Sequence, residues 1–411
     1  MGKKIILQFC LALVAFSLAA CLRPPGGKID SNTLVVWEQE DGFIAPFLDS
    51  IFNNFKKLPG NEKVRIQRVH YHMEDLRQQF QTASIAGSPP DMIITPPDVA
   101  GVFAVSGFIL PLNGLFDFSR YDEQALVPVT MDGKIWGVPS SMGNHLMLLY
   151  NKRLVKNIPQ STDELFKSCA ELSRDKNLSY CMAYDMNEPF WLIPWLTAYG
   201  GWPLDGKKPA LNTPAMLAAV KFYLNLRYER KLVPMECDYN CMDSLFKEEK
   251  VAFIINGDWS LADYKSRFGE NLGVGRIPKL SETGRWPSPM FGGKDIMLSS
   301  KLRGEKLELA KRLTVFFTND ENQLRQAREL YRIPAIKGMK NSPELRKDPL
   351  LRGSIEQQEV ATPMPMATEL RAFWDSGRHY LGMITQRKTT PEDGLKRMQA
   401  DCEAKIQEMM R

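Results

Sequence analysis

Apolar residues along the chain switch between two spacings, and the switch points outline its elements. Thr33-Leu34-Val35-Val36-Trp37 is an unbroken β-branched apolar run of the kind buried inside a sheet. Phe43, Ile44, Phe47, Leu48, Ile51, Phe52 and Phe55 then recur at helical spacing, and Pro59-Gly60 closes that helix. Val64 to Val69 alternates as a second strand, Leu76, Phe80 and Ala83 mark a second helix, and Met92 to Thr95 is a third strand. A βαβαβ opening implies a mostly parallel sheet with helices on its faces. Ligands of such sheets sit where strands end and helices begin, here Glu38 to Asp41 and Thr95 to Asp98.

The middle of the chain is more mixed. Ile135 to Val138 and Leu146 to Tyr150 read as strands, with Pro139-Ser140-Ser141-Met142-Gly143-Asn144 between them as a possible crossing. Ser161 caps a predicted helix to Arg174 with Glu164 as its capping-box partner, and Thr213 to Glu229 is a long helix with Pro214 in its first turn. Val251 to Ile255 and Asp295 to Ser299 are buried strands. Helices dominate from Glu305 onward, the last from Pro391 to Met410. Strands recurring so late suggest two α/β bodies, with the chain returning to the first.

The amino terminus adds an address. Lys3 and Lys4 precede an almost wholly apolar run from Ile5 to Ala20, shorter than the ~20 residues a membrane-spanning helix needs. A basic start, a short apolar core and small residues before a break are a secretory signal, residues 1–20. Leu18-Ala19-Ala20-Cys21 resembles a bacterial lipobox, which implies a lipid on Cys21 and an attachment to the outer side of a bacterial membrane. Residues 21–27 are a Pro/Gly tether.

Composition then narrows the function. The formal charge of +5 over 411 residues is too small and scattered for a nucleic-acid partner, and losing Lys3 and Lys4 lowers it further. With four histidines a histidine-rich metal site is not expected; His70-x-His72 lacks a third ligand, and no metal or cofactor is anticipated. Seven cysteines cannot all pair. Outside the cytoplasm Cys169 with Cys181 and Cys237 with Cys241 are candidate disulfides, leaving one thiol such as Cys402 free.

Taken in order, several landmarks resemble the bacterial extracellular solute-binding proteins of the maltose-binding type, the receptors of sugar-importing ABC transporters. They are Leu34-Val35-Val36-Trp37 with Asp41-Gly42, Pro90-Asp91-Met92-Ile93-Ile94, and Asp132-Gly133-Lys134-Ile135-Trp136-Gly137-Val138-Pro139. Leu149-Tyr150-Asn151-Lys152, Asn187-Glu188-Pro189-Phe190-Trp191 and Asn256-Gly257-Asp258-Trp259 follow, then Gly292-Gly293 and Ala372-Phe373-Trp374. The resemblance implies a type II periplasmic-binding-protein fold: two α/β lobes joined by hinge crossings, closing on a ligand in the cleft between them. Lobe I would hold residues 28–142 and 295–342, and lobe II residues 143–294 and 343–411. The implied partners are a carbohydrate and the permease subunits of an ABC transporter, with the receptor acting as a monomer.

Sugars take flat aromatic faces against their C–H surfaces and planar polar groups against their hydroxyls. Matching by motif, Trp259 and Trp374 would stack on the ligand, Arg378 would reach the cleft one helical turn past Trp374, and Glu188 would accept hydroxyls. Phe190 stands where maltose receptors carry tyrosine, and Asp41 and Asp98 match carboxylates of the first lobe. Gly292 and Gly293 would bring bare backbone to the ligand. Departures are equally specific: Gly42 replaces a lysine, Thr95 and Val99 stand where a tryptophan and an arginine flank the Asp98 position, and Asn144 replaces a crossing carboxylate. These argue for a sugar other than maltose. The rival readings are a receptor for a phosphodiester or polyamine, a lipoprotein sensor without transport, and a glycoside hydrolase using carboxylates such as Asp98 and Glu188; the expectation is a binding protein, not an enzyme.

Overall fold

A computed structural model describes residues 30–40 and 42–409; the signal segment, Cys21, its tether and Asp41 lie outside the described residues. The chain opens with β1 (Thr33–Glu38), α1 (Ala45–Lys56), β2 (Arg65–His70), α2 (Met73–Ile85) and β3 (Met92–Thr95). After β4 (Val138–Ser141) come β5 (Leu146–Asn151), α3 (Thr162–Leu172), β6 (Met182–Ala183), α4 (Pro189–Ala198) and α5 (Pro214–Leu224). Next are α6 (Tyr239–Lys247), β7 (Phe253–Gly257), β8 (Leu272–Gly275), β9 (Met290–Phe291) and β10 (Lys294–Leu298). The chain ends with α7 (Gly304–Phe317), α8 (Asp320–Leu330), α9 (Pro349–Gln358), β11 (Thr362–Pro363), α10 (Glu369–Thr385) and α11 (Pro391–Met409).

Two sheets organise two lobes. The first has the order β2-β1-β3-β10-β4, with β1, β2 and β3 parallel and β10 antiparallel to β3 and to β4. Its core joins Leu34, Val36, Ile94 and Ile296 to Phe47, Phe52 and Phe55 of α1 and Leu313 and Phe317 of α7. The second sheet has the order β8-β5-β7-β6 and packs against α4, α5, α10 and α11 through Trp195, Tyr223, Phe373 and Leu395. Val138–Ser141, read from sequence partly as a crossing, is instead the edge strand β4. An edge position tolerates Pro139, which lacks an amide to donate. The crossing shrinks to Met142–His145.

Local chemistry sets the helix ends. Ser161 Oγ accepts the Glu164 amide at 3.2 Å, while Glu164 reaches back to the Gln160 amide at 2.8 Å. The predicted helix from Thr213 is α-helical only to Leu224; Asn225–Glu229 widens into a π turn. That turn aims Arg227 inward, where it is 2% exposed and donates to the Thr385 carbonyl at 3.0 Å, tying α10 to this part of the lobe. Cys169–Cys181 and Cys237–Cys241 are disulfides, and Cys402 is a buried free thiol whose burial pushes its pKa up to about 12.

Candidate functional site

Strands β1 and β3 run parallel, so their carboxyl ends open at the same edge of the first sheet, and antiparallel β10 begins there. Glu40, beyond β1, is buried and held by both arms of Arg332 at 2.9 and 2.6 Å. Burial opposes ionisation of Glu40, but Arg332 and Lys294 outweigh it and hold its carboxyl at about 2. Lys294, the first residue of β10, places Nζ 3.9 Å from Glu40 Oε2. Asp98 lies half-buried in the turn after β3, where burial pushes it up to about 6; Glu74 adds to the rise while Arg371, Arg378 and Lys294 oppose it.

The second lobe presents rings. Phe190 stands 6.4 Å from Trp259 and 6.2 Å from Trp374, and Trp191 meets Trp259 edge-on at 6.2 Å, between ring centres. Hydrogen bonds fix this group: Trp191 Nε1 donates to the Ile255 carbonyl at 2.8 Å and Trp259 Nε1 to the Tyr239 hydroxyl at 3.0 Å. The Trp259 ring folds over Gly257, where any Cβ would sit 2.0 Å from it. Trp374 is only 4% exposed and packs on Phe373, so Phe190 and Trp259 carry more of the open face.

Charge bridges the two walls. Arg378 donates to Glu188 at 2.7 Å and lies 3.4 Å from Glu74 of α2, while Arg371 donates to Glu74 at 3.2 Å and to Asp375 at 3.0 Å. Glu74 belongs to a helix of the first lobe, and both arginines to α10 of the second. Burial raises the Glu188 carboxyl above its ordinary range although Arg378 pulls it down. Glu74 is lowered, because its arginine neighbours overcome its burial.

The crossings give the paired glycines a structural task. The amides of Gly292 and Gly293 both donate to the Gly143 carbonyl, at 2.9 and 3.0 Å, which ties them to the crossing. Gly293 has φ +79° and a Cβ there would sit 1.9 Å from the Ser141 carbonyl oxygen. The Asn144 amide donates to both Asp258 oxygens at 3.0 Å, with Asn144 itself at φ 51°.

Asp98, Glu188, Phe190, Trp259, Trp374 and Arg378 thus converge between the lobes, while Asn144, Gly292 and Gly293 sit at the crossings beside them. Geometry adds Glu74, Arg371, Tyr239 and Lys294. Only Lys294 carried a sequence signal, its place directly after the paired glycines. A cavity of about 200 Å³ lies between Phe43 of the first lobe and Tyr239, Asp243, Lys247, Ser260 and Asp263 of the second. A larger one, about 480 Å³, opens beside the Cys169–Cys181 disulfide and shares no residue with the cleft. Among the described residues no group of three or more His, Cys, Asp or Glu could hold a metal ion.

Comparison with known proteins finds relatives over most of the chain. The profile of a family described as bacterial extracellular solute-binding protein matches residues 50–353. The chain is 27% identical to the galactooligosaccharide-binding protein of Bacillus subtilis (strain 168), covering 96% of this chain and 95% of that one. It is 26% identical to the maltodextrin-binding protein MdxE of the same strain, covering 90% of each. Among solved structures, the maltose/maltodextrin-binding domain MalE from Bdellovibrio bacteriovorus bound to maltotriose superposes with a TM-score of 0.84 at 33% identity, covering 91% of this chain and all of that one.

Proposed function

The chain belongs to the bacterial extracellular solute-binding protein family, and from that premise we propose that it captures a carbohydrate between its lobes and delivers it to the permease subunits of an ABC importer. One observation carries this reading: an open aromatic face, Phe190 and Trp259, stands beside the Glu188–Arg378 pair, whose arginine also pulls on the Asp98 carboxyl. Rings suit the C–H surface of a sugar, and charged planar groups suit its hydroxyls. The named ligands of the relatives, galactooligosaccharide and maltodextrin, point to an oligosaccharide. Gly42, Thr95, Val99 and Asn144 support a preference for one other than maltose.

The same proposal includes a receptor without turnover, acting as a monomer and held to the membrane by a lipid on Cys21. It places lobe I at 28–142 and 295–342 and lobe II at 143–294 and 343–411, except that Lys294, as the first residue of β10, goes with lobe I. Support comes from β10 joining the first sheet and α10 and α11 packing on the second core.

Calorimetry against maltose, malto- and galacto-oligosaccharides, spermidine and a glycerophosphodiester tests the reading. An oligosaccharide should bind, be recovered intact, and outcompete maltose. Binding of only the polyamine or the phosphodiester would overturn the carbohydrate reading, and maltose as the tightest ligand would overturn the finer preference. New reducing ends after incubation would revive hydrolysis. Cys21→Ser should move the protein from the membrane to the soluble fraction.

A further inference from the structure

The first lobe contains an ammonium and a carboxylate that form no hydrogen bond with the described residues. Lys294 is 8% exposed, yet its Nζ makes no hydrogen bond to any described residue, its contact with Glu40 being an ionic one at 3.9 Å. Both Glu40 oxygens are already taken by Arg332. Asp98 likewise accepts no hydrogen bond and forms no ion pair within 4 Å among the described residues; it follows closely on Thr95, which pairs with Asp295 beside Lys294, and a Cβ on Gly292 would sit 2.6 Å from Pro97, so the two turns meet. Asp98 is only half-buried, and two groups of opposite character at one sheet edge without a hydrogen bond from the described residues are open to the hydroxyls of a ligand.

We infer that Lys294 and Asp98 form a donor–acceptor pair that reads two neighbouring hydroxyls of one sugar ring, with Lys294 the specificity-determining residue of the first lobe; this rests on the carbohydrate reading above. An ammonium only donates, an ionised carboxylate only accepts, and a hydroxyl does both, so the pair fixes the direction of the hydrogen bonds around the ring. The placement is rigid. The Lys294 amide donates to Ser141 Oγ at 3.3 Å and its carbonyl accepts from Ser140 Oγ at 2.9 Å, while the preceding glycines are tied to Gly143. The side chain therefore projects from the hinge itself, and a ligand that engages it also engages the strand around which the lobes close.

The test measures binding of maltotriose, galactotriose and the other panel sugars to the full chain, to Lys294→Gln and to Lys294→Arg, with melting curves as the folding control. Lys294→Gln should bind the preferred sugar about 10- to 100-fold more weakly, the range for a hydrogen bond to a charged group. The loss should vanish for the one monodeoxy analogue that lacks the hydroxyl Lys294 reads. Lys294→Arg keeps the charge beside Glu40 and should fold normally but rank the sugars differently. If wild type binds sugar and both variants bind it within twofold in the same order, Lys294 only balances Glu40 and this inference fails alone. If wild type binds no sugar, the carbohydrate reading fails and takes this one with it.

Discussion

The two walls of the cleft are built from different materials. The wall of the second lobe is aromatic and internally satisfied: Trp191 and Trp259 are fixed by hydrogen bonds and pack against Phe190 and Tyr239. The wall of the first lobe is ionic and only half satisfied, with Glu40 clamped by Arg332 while the side chains of Lys294 and Asp98 hold no hydrogen bond among the described residues. A preformed platform can hold a sugar face before closure, because stacking needs no reorganisation. An unmatched ionic wall gains its partners only when a ligand and the first lobe meet. Under the function proposed above, capture falls to the second lobe and discrimination to the first.

The largest test of that contrast is structural. Arg332→Met strips a buried carboxylate of its bidentate partner and should lower stability by about 3–5 kcal/mol, the cost of breaking a buried ion pair from one side. Scanning calorimetry should show that loss, with Glu40→Leu in the same chain recovering part of it. A shift under about 1 kcal/mol would mean the ionic wall is solvated and not a built device.

Trp259→Ala probes the other wall and should behave oppositely. Loss of a stacking face costs binding by about 2 kcal/mol or more, roughly 30-fold upward. Trp259 is only partly buried, so the ligand-free protein should lose about 1–2 kcal/mol, well below the cost of emptying a fully buried site. Calorimetric titration with an oligosaccharide beside a thermal melt separates the two. If Trp259→Ala destabilises more than Arg332→Met while binding persists, the platform is core and the division of labour is reversed.

How legible each wall was in the sequence follows from its chemistry. Strands β1 and β3 and helix α1 were plain, because burial on a sheet or helix face imposes a period on neighbouring residues. The aromatic wall was found through short runs such as Asn256-Gly257-Asp258-Trp259, whose parts lie close together along the chain. The ionic wall was largely missed. Glu40 and Arg332 are joined over 292 positions, and Glu74 meets Arg371 over 297, with no local pattern that marks either pair. The glycines were legible as a pair, but their bond to the Gly143 carbonyl was not, since nothing along the chain joins positions that far apart.

Asp98 gives the smallest and most discriminating effect, because its proton distinguishes the empty ionic wall from the filled one. Its carboxyl stands near 6, pushed up by burial and Glu74 and pulled down by Arg371, Arg378 and Lys294. Relative to the unfolded chain this acid is raised, so its contribution to stability is greatest below about pH 4 and is lost as pH rises towards 6. Binding runs the other way. A hydroxyl donating to Asp98 favours the ionised form, so affinity should climb about tenfold between pH 5 and 7 and then level off, with proton release near pH 6. Titration calorimetry in two buffers of different ionisation enthalpy measures that release directly. Asp98→Asn should flatten the pH profile. Should the profile persist in Asp98→Asn, the titrating group is Glu188, also raised by burial, and the discriminating charge belongs to the aromatic wall instead.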